Sequence, residues 1–313
     1  MEASALFALV FLPFSTGYFL SFLFRSINAV IFPDLMRDVG VGAAGLGLLT
    51  AAFFIGFASV QLPLGLLLDR FGAARVQAGL MAVAALGALA FALATTPTGL
   101  VLARALIGVG CAGGLMAAFK AIVKWYPPQR LSFVNGCYLA TGGLGAIVAT
   151  RPVEAMLSFV DWRGVFVLLA FLSLLSAALI FALVPRGDRA EDPPPLRVQV
   201  EELRRILRDR LFWRLIPVSV MGMGGTLSIQ GLWAGPWLAD VAGLSRVEVA
   251  DRLLALSVAM TAGFVLTGMV ADRLRARGVS SLTTMAAGTV VTVAALAAIT
   301  LRIDPTGWWH WLA

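Results

Sequence analysis

The sequence is a succession of apolar runs, each long enough to cross a lipid bilayer as a helix, joined by short charged hinges. A helix needs about 20 apolar residues to span the hydrocarbon core, and up to about 25 when tilted. On that ruler the runs fall at residues 6–32, 46–68, 76–96, 98–120, 132–153, 164–184, 212–238, 252–271 and 281–301. Lipid offers no partner for a backbone N–H or C=O, so each run must satisfy its own hydrogen bonds as a helix. The fold class that follows is an all-α integral membrane protein. Composition agrees: 13% of residues are charged, about half the share of a soluble domain.

Breaks between the runs carry turn chemistry at Pro33-Asp34, Thr95-Thr96-Pro97, Trp125-Tyr126-Pro127-Pro128 and Asp161-Trp162-Arg163. One long polar segment, residues 185–211, separates six runs from three. Pro193-Pro194-Pro195 stops any helix there, but Leu196, Val200, Leu203, Leu207 and Leu211 then recur near helical spacing among Arg204, Arg205, Arg208 and Arg210. That pattern predicts an amphipathic helix on the membrane surface. The expected organisation is a six-helix N-terminal bundle at 1–184, a cytoplasmic linker with that helix at 185–211, and a partial C-terminal bundle of three helices at 212–313.

The net charge of +7 does not point to nucleic acid, because the basic residues sit in short loops between apolar runs. Sixteen lie on the side of the central segment and five on the other. The excess predicts that the N-terminus and the central segment are cytoplasmic. The first charge is Glu2, with no basic stretch before the first run, so that run reads as a retained span and not a cleaved leader. Only Lys120 and Lys124 among 24 basic residues are lysines, a bias that fits a GC-rich bacterial genome. The bacterial inner membrane is the expected location. Cys111 and Cys137 lie in apolar runs without metal-ligand spacing, so neither a metal nor a cofactor is expected.

Two hinges stand out. Gly65-Leu66-Leu67-Leu68-Asp69-Arg70-Phe71-Gly72-Ala73-Ala74-Arg75 places a charged pair between two apolar runs, and Gly268-Met269-Val270-Ala271-Asp272-Arg273 echoes it 203 residues later. Such a repeat suggests internal duplication. The first hinge resembles the signature between helices 2 and 3 of the major facilitator superfamily: a Gly, then Asp-Arg, a Gly and a later Arg. The echo matches at Gly268, Asp272 and Arg273, with Arg275 where the second Gly would stand. Arg104-Ala105-Leu106-Ile107-Gly108-Val109-Gly110 is similar to that family's helix 4 motif, an Arg followed by spaced glycines. The region Gly136 to Gly145 lacks the Pro of the exporter-type helix 5 motif, which leaves direction open. The family has twelve helices in two six-helix halves; nine runs leave the second bundle incomplete, and the expectation is a truncated member.

The resemblance implies a monomeric secondary active transporter that moves a small solute by alternating access, with a proton as the candidate coupling ion. The alternatives are a non-transporting receptor or scaffold, or an inactive fragment of a carrier. An enzyme is not expected: the lone His310 lies at the extreme end, and no nucleophilic, metal-binding or phosphate-cradling pattern occurs.

Charges inside a span cost at least about 2.5 kcal/mol at mid-helix, so they mark candidate sites. Arg25 and Arg104 are the deepest cations; Asn28 shares the face of Arg25, and Gln230 and Trp233 are further candidates to line a substrate cavity. The gating candidates are Gly65, Asp69, Arg70, Gly72, Arg75, Gly268, Asp272 and Arg273, with Asp69 expected to meet a helix N-terminus or a basic group of the other half. Arg104, Gly108 and Gly110 form the helix 4 motif. Arg151 and Glu154, spaced i,i+3, are expected to pair, or Glu154 to neutralise Arg104. No Asp or Glu falls mid-span in any run. Two deep arginines without deep carboxylates favour an anionic substrate.

Overall fold

The computed structural model describes residues 3–185, 196–228, 237–244 and 246–300. Those residues are helical with short joints and no strand. The first span is built in pieces: α1 (Ala3–Leu6), a π-helical stretch Phe7–Phe11, α2 (Leu12–Ser26) and α3 (Asn28–Val39). Pro33 does not end it, as its turn chemistry suggested. The ladder has already loosened at Ile27, whose carbonyl accepts from both Val30 and Ile31. The proline, a turn later, removes one more bond without stopping the helix. Gly40, at φ 72°, ends it instead.

Next come α4 (Ala43–Phe71), α5 (Ala73–Leu93), α6 (Pro97–Cys111), α7 (Gly114–Trp125), α8 (Leu131–Val148), α9 (Arg151–Leu157) and α10 (Trp162–Leu183). The turns that delimit them are chemically specified. Gly72 takes φ 83° between α4 and α5, where a side chain would be strained. Thr96 accepts from Gly99 N–H at 3.1 Å and Pro97 opens α6. Asp161 accepts from Gly164 N–H at 2.8 Å to start α10. The fourth span is one membrane crossing in two helices, α6 and α7, interrupted at Ala112-Gly113.

After the central segment lie α11 (Leu196–Arg208), α12 (Arg210–Ser228), a π turn Trp237–Val241, α13 (Arg246–Ala276) and α14 (Ser281–Thr300). Seven helices among the described residues are long and apolar enough to cross a membrane. Of the nine expected runs, the seventh (212–238) lies partly outside the described residues, and the ninth is α14. The chain divides into two compact units, Met1–Glu191 with Met260–Ala313, and Asp192–Ala259. In the first, α5 packs on α6 and α10, α4 on α6, and α2 on α8.

Without a hydrophobic force between helices in lipid, close backbone approach does the holding. A Cβ on Gly108 would run into the Phe53 carbonyl, and one on Gly56 into the Ala105 carbonyl, so α4 and α6 touch backbone to backbone. Gly110 makes the same approach to Ala84 of α5. Around these seams the aromatic core closes, with Phe91 and Phe166 stacked at 4.3 Å and Trp162 edge-on to Phe91 at 5.7 Å.

The end of the bundle near Trp162 is tied by polar contacts. The Trp162 indole N–H donates to Asp38 Oδ2 at 2.9 Å. Arg163 Nη1 donates to the Ala92 and Ala94 carbonyls, both at 2.7 Å, satisfying the C-terminus of α5. The indole N–H, with help from Arg37, holds the Asp38 carboxyl below its usual range.

Gly108→Leu forces α4 and α6 apart and is expected to destabilise by roughly 1–3 kcal/mol. Thermal unfolding of the purified variant checks this: a midpoint lowered by several degrees is expected, and an unchanged one would show that the seam tolerates a side chain.

Candidate transport site

Arg104 sits on α6 with 1% of its surface exposed. Its Nη2 donates to the Phe24 carbonyl at 2.9 Å, while Nε and Nη1 are buried with no hydrogen-bond partner. The guanidinium lies 5.2 Å from the Phe53 ring centroid and 5.9 Å from that of Phe91. Gly108, one turn on, lets α4 come close enough for Phe53 to reach it. The glycines of the motif thus bring the aromatic faces to the cation. Cation–π contact offsets part of its desolvation but supplies no negative charge.

Arg25 ends α2 next to Phe24, half-buried, with its Nε lacking a partner. Phe22, Phe54 and Phe57 surround its guanidinium at 4.6, 5.5 and 5.6 Å to the ring centroids. Phe53, Phe54 and Phe57 all lie on α4, so that helix presents one ring to Arg104 and two to Arg25. Asn28, 4% exposed, leaves both its amide oxygen and nitrogen unpartnered. The structure therefore gathers Arg25, Asn28 and Arg104 onto the wall made by the first span, α4 and α6. No carboxylate pairs with either arginine among the described residues. Glu154 lies exposed on α9, and the Arg151 side chain, Gln230 and Trp233 lie outside the described residues.

One buried polar group escaped the sequence reading. Gln77 is fully buried on α5, and neither its Nε2 nor its Oε1 has a partner. It packs against Gly17 of α2 and Gly113 at the break in the fourth span. Lying two residues after Arg75, it belongs by position to the charged hinge, and only the depth to which α5 is packed reveals it. At the same break Gln61 Nε2 donates to the Ala112 carbonyl at 3.3 Å, and the Tyr138 hydroxyl donates to the Gly114 carbonyl at 2.6 Å. These contacts satisfy carbonyls at the interruption.

The hinges differ in their contacts. Asp69, in the last turn of α4, accepts from Lys120 Nζ of α7 at 2.6 Å, and the same ammonium donates to the Leu68 carbonyl at 2.9 Å. Its partner is thus a basic group of the N-terminal bundle. Arg70 lies over Phe71 and Arg75 is exposed; a Cβ on Gly65 would meet open space. Asp272, on α13, accepts at Oδ2 from the Phe133 N–H at 2.9 Å. Phe133 is the third residue of α8, so this carboxylate fills the place of an N-terminal cap. Its Oδ1 is buried without a hydrogen-bond partner. Gly268 approaches the Ser132 carbonyl and Gly136 the Phe264 carbonyl, which closes α13 onto the start of α8. Arg273 is exposed.

A family model described as Major Facilitator Superfamily matches residues 14–313. The chain belongs to the Major Facilitator Superfamily. It is similar to a quinolone resistance transporter of Acinetobacter baumannii, 28% identical over 175 residues, covering 54% of this chain and 40% of that protein. A probable sulfoacetate transporter, SauU, of Cupriavidus necator is 24% identical over 277 residues, 83% of this chain and 64% of the relative. A hexuronate transporter of Bacillus subtilis is 30% identical over 191 residues, 60% of this chain and 45% of its own length. The chain thus spans between 40% and 64% of these superfamily relatives. The crystal structure of a D-xylose–proton symporter has the same fold, with a TM-score of 0.55 at 19% identity, covering 84% of this chain and 68% of that one.

Replacing Asp272 by Ala removes the cap and is expected to cost about 1 kcal/mol, whereas Asn, which also caps, retains most of it. Thermal unfolding of both variants tests this; equal losses for Ala and Asn would show that the negative charge, not the hydrogen bond, is what matters.

Proposed function

We propose that the protein is a secondary active transporter that carries a small anionic solute across the bacterial inner membrane by alternating access, with its N-terminus cytoplasmic. The observation that carries the reading is the pair of guanidiniums, Arg25 and Arg104, held inside the bundle with unused N–H groups and no carboxylate partner among the described residues. Keeping a cation desolvated is expensive unless something repays it. A carboxylate or sulfonate reaching these groups does so through charge-assisted hydrogen bonds. Asn28 adds a neutral donor and acceptor for the rest of the solute. The names of two relatives fit: hexuronate and sulfoacetate are both organic anions.

Alternation needs two closures. On the cytoplasmic side the contact that forms and breaks is Asp272 against the N-terminus of α8, while Asp69, held by Lys120 within the N-terminal bundle, stiffens the first hinge. Asp69→Asn leaves membrane insertion intact but slows transport.

Uptake by the whole protein in proteoliposomes decides the reading. Small organic anions are expected to enter, and Arg104→Gln is expected to cut entry by roughly tenfold to a hundredfold, the worth of a charge-assisted hydrogen bond. Entry of cations alone would overturn the anion assignment. Binding of an anion without flux would make the protein a receptor.

A further inference from the structure

The helix α11 takes no part in the site described above. It has thirteen residues, so it is roughly 20 Å long. At 3.6 residues per turn, Val200, Leu203 and Leu207 fall within roughly 60° of one another. Val200 and Leu207 are exposed, at 53% and 41%. Along one flank of this stripe run Arg197, Arg204 and Arg208, which share a face within roughly 40° and are all exposed. Glu201 lies at the outer edge of this flank and Glu202 rides the far side, so the apolar stripe is bordered on one flank by three arginines and one glutamate.

The joint to α12 fixes where this surface can be. Asp209 Oδ1 accepts from Leu211 N–H at 2.8 Å, capping α12. The Trp213 indole N–H donates back to the Leu207 carbonyl at 2.7 Å, holding the last turn of α11 to the first turn of α12. Beyond the joint, Leu211, Trp213 and Leu215 are all more than half exposed, as expected of a helix entering hydrocarbon. An indole at that level suits the headgroup boundary. Exposed apolar side chains thus run from the stripe of α11 across the joint onto the first turns of α12, with the arginine flank beside them.

We propose that α11 docks on the cytoplasmic leaflet, with Val200, Leu203 and Leu207 in the acyl boundary and Arg197, Arg204 and Arg208 on the phosphates of anionic lipids. Arginine suits this task because its planar fork grips a phosphate with two hydrogen bonds. Through Trp213 the docked helix sets the height of α12, so leaflet charge reaches the base of the seventh span.

The test attaches an environment-sensitive nitrobenzoxadiazole label to Val200→Cys, and separately to Glu202→Cys, in the whole protein lacking Cys111 and Cys137. Each is reconstituted into vesicles of phosphatidylcholine alone or with about a third phosphatidylglycerol. Label at position 200 is expected to shift to the blue and brighten about twofold or more in the anionic vesicles, reverting at about 1 M salt. Label at position 202 is expected to stay aqueous in both. Changing Arg197, Arg204 and Arg208 together to Gln lowers the docked-to-free ratio by roughly a hundredfold, at about 1 kcal/mol per arginine. Equal emission at position 200 in the two lipids overturns the proposal, whether both are blue, as when another protein surface covers the stripe, or both are aqueous. That comparison needs only the arginine-intact protein, so it stands even if the triple variant fails to fold.

Discussion

A single hydrogen bond, from Arg104 Nη2 to the Phe24 carbonyl, ties the ionic interior of the bundle to its frame. It joins α6 to the first span at the residue beside Arg25, so the two deep cations are positioned by the same contact. What surrounds the bond explains why a charge can be there at all. The Phe53 and Phe91 rings take the faces of the guanidinium, and Gly108 brings α4 within reach. Yet two of its three nitrogens are left without a partner. The frame holds the charge but does not neutralise it, and on that incompleteness the proposal of an anionic cargo rests.

The two hinges, nearly alike as strings of residues, are put to different uses in this conformation. Asp69 is turned inward to its own bundle by Lys120, which also tidies the end of α4 at Leu68. Asp272 reaches from α13 to the first turn of α8 and works through a helix N-terminus. A carboxylate that bonds a backbone N–H can be released by a small axial shift of that helix. One locked to an ammonium in an aqueous margin exchanges partners with less loss, because solvent screens both. Of the two, the Asp272 contact is the one that runs from α13 to α8, and so the one that the proposed gate would have to release.

Much of this was legible in the residues. Apolar runs of the right length give membrane helices because a continuous run of about 20 apolar residues satisfies its own backbone in lipid as a helix, and Thr96-Pro97, Asp161 and Gly72 marked their turns correctly. The charges in the spans, Arg25 and Arg104, announced themselves by their cost. Pro33 misled because its effect depends on what the preceding turn has already given up, which only the three-dimensional ladder shows. Lys120 as the partner of Asp69 was hidden by the 51 residues between them. Gln77 was hidden by its closeness to the charged hinge. The break at Ala112-Gly113 leaves no proline or charge in the sequence to signal it.

The central claim, that the guanidiniums of Arg25 and Arg104 wait for an anion, is tested most directly by ligand-induced thermal stabilisation of the purified whole protein. A ligand that binds only the folded state raises the unfolding midpoint as its concentration passes its dissociation constant. Small carboxylates or sulfonates are expected to raise it for the native protein and not for a variant carrying Arg25→Gln and Arg104→Gln, while size-matched cations do nothing. Stabilisation by cations, or by anions equally in the native protein and the variant, would contradict the account.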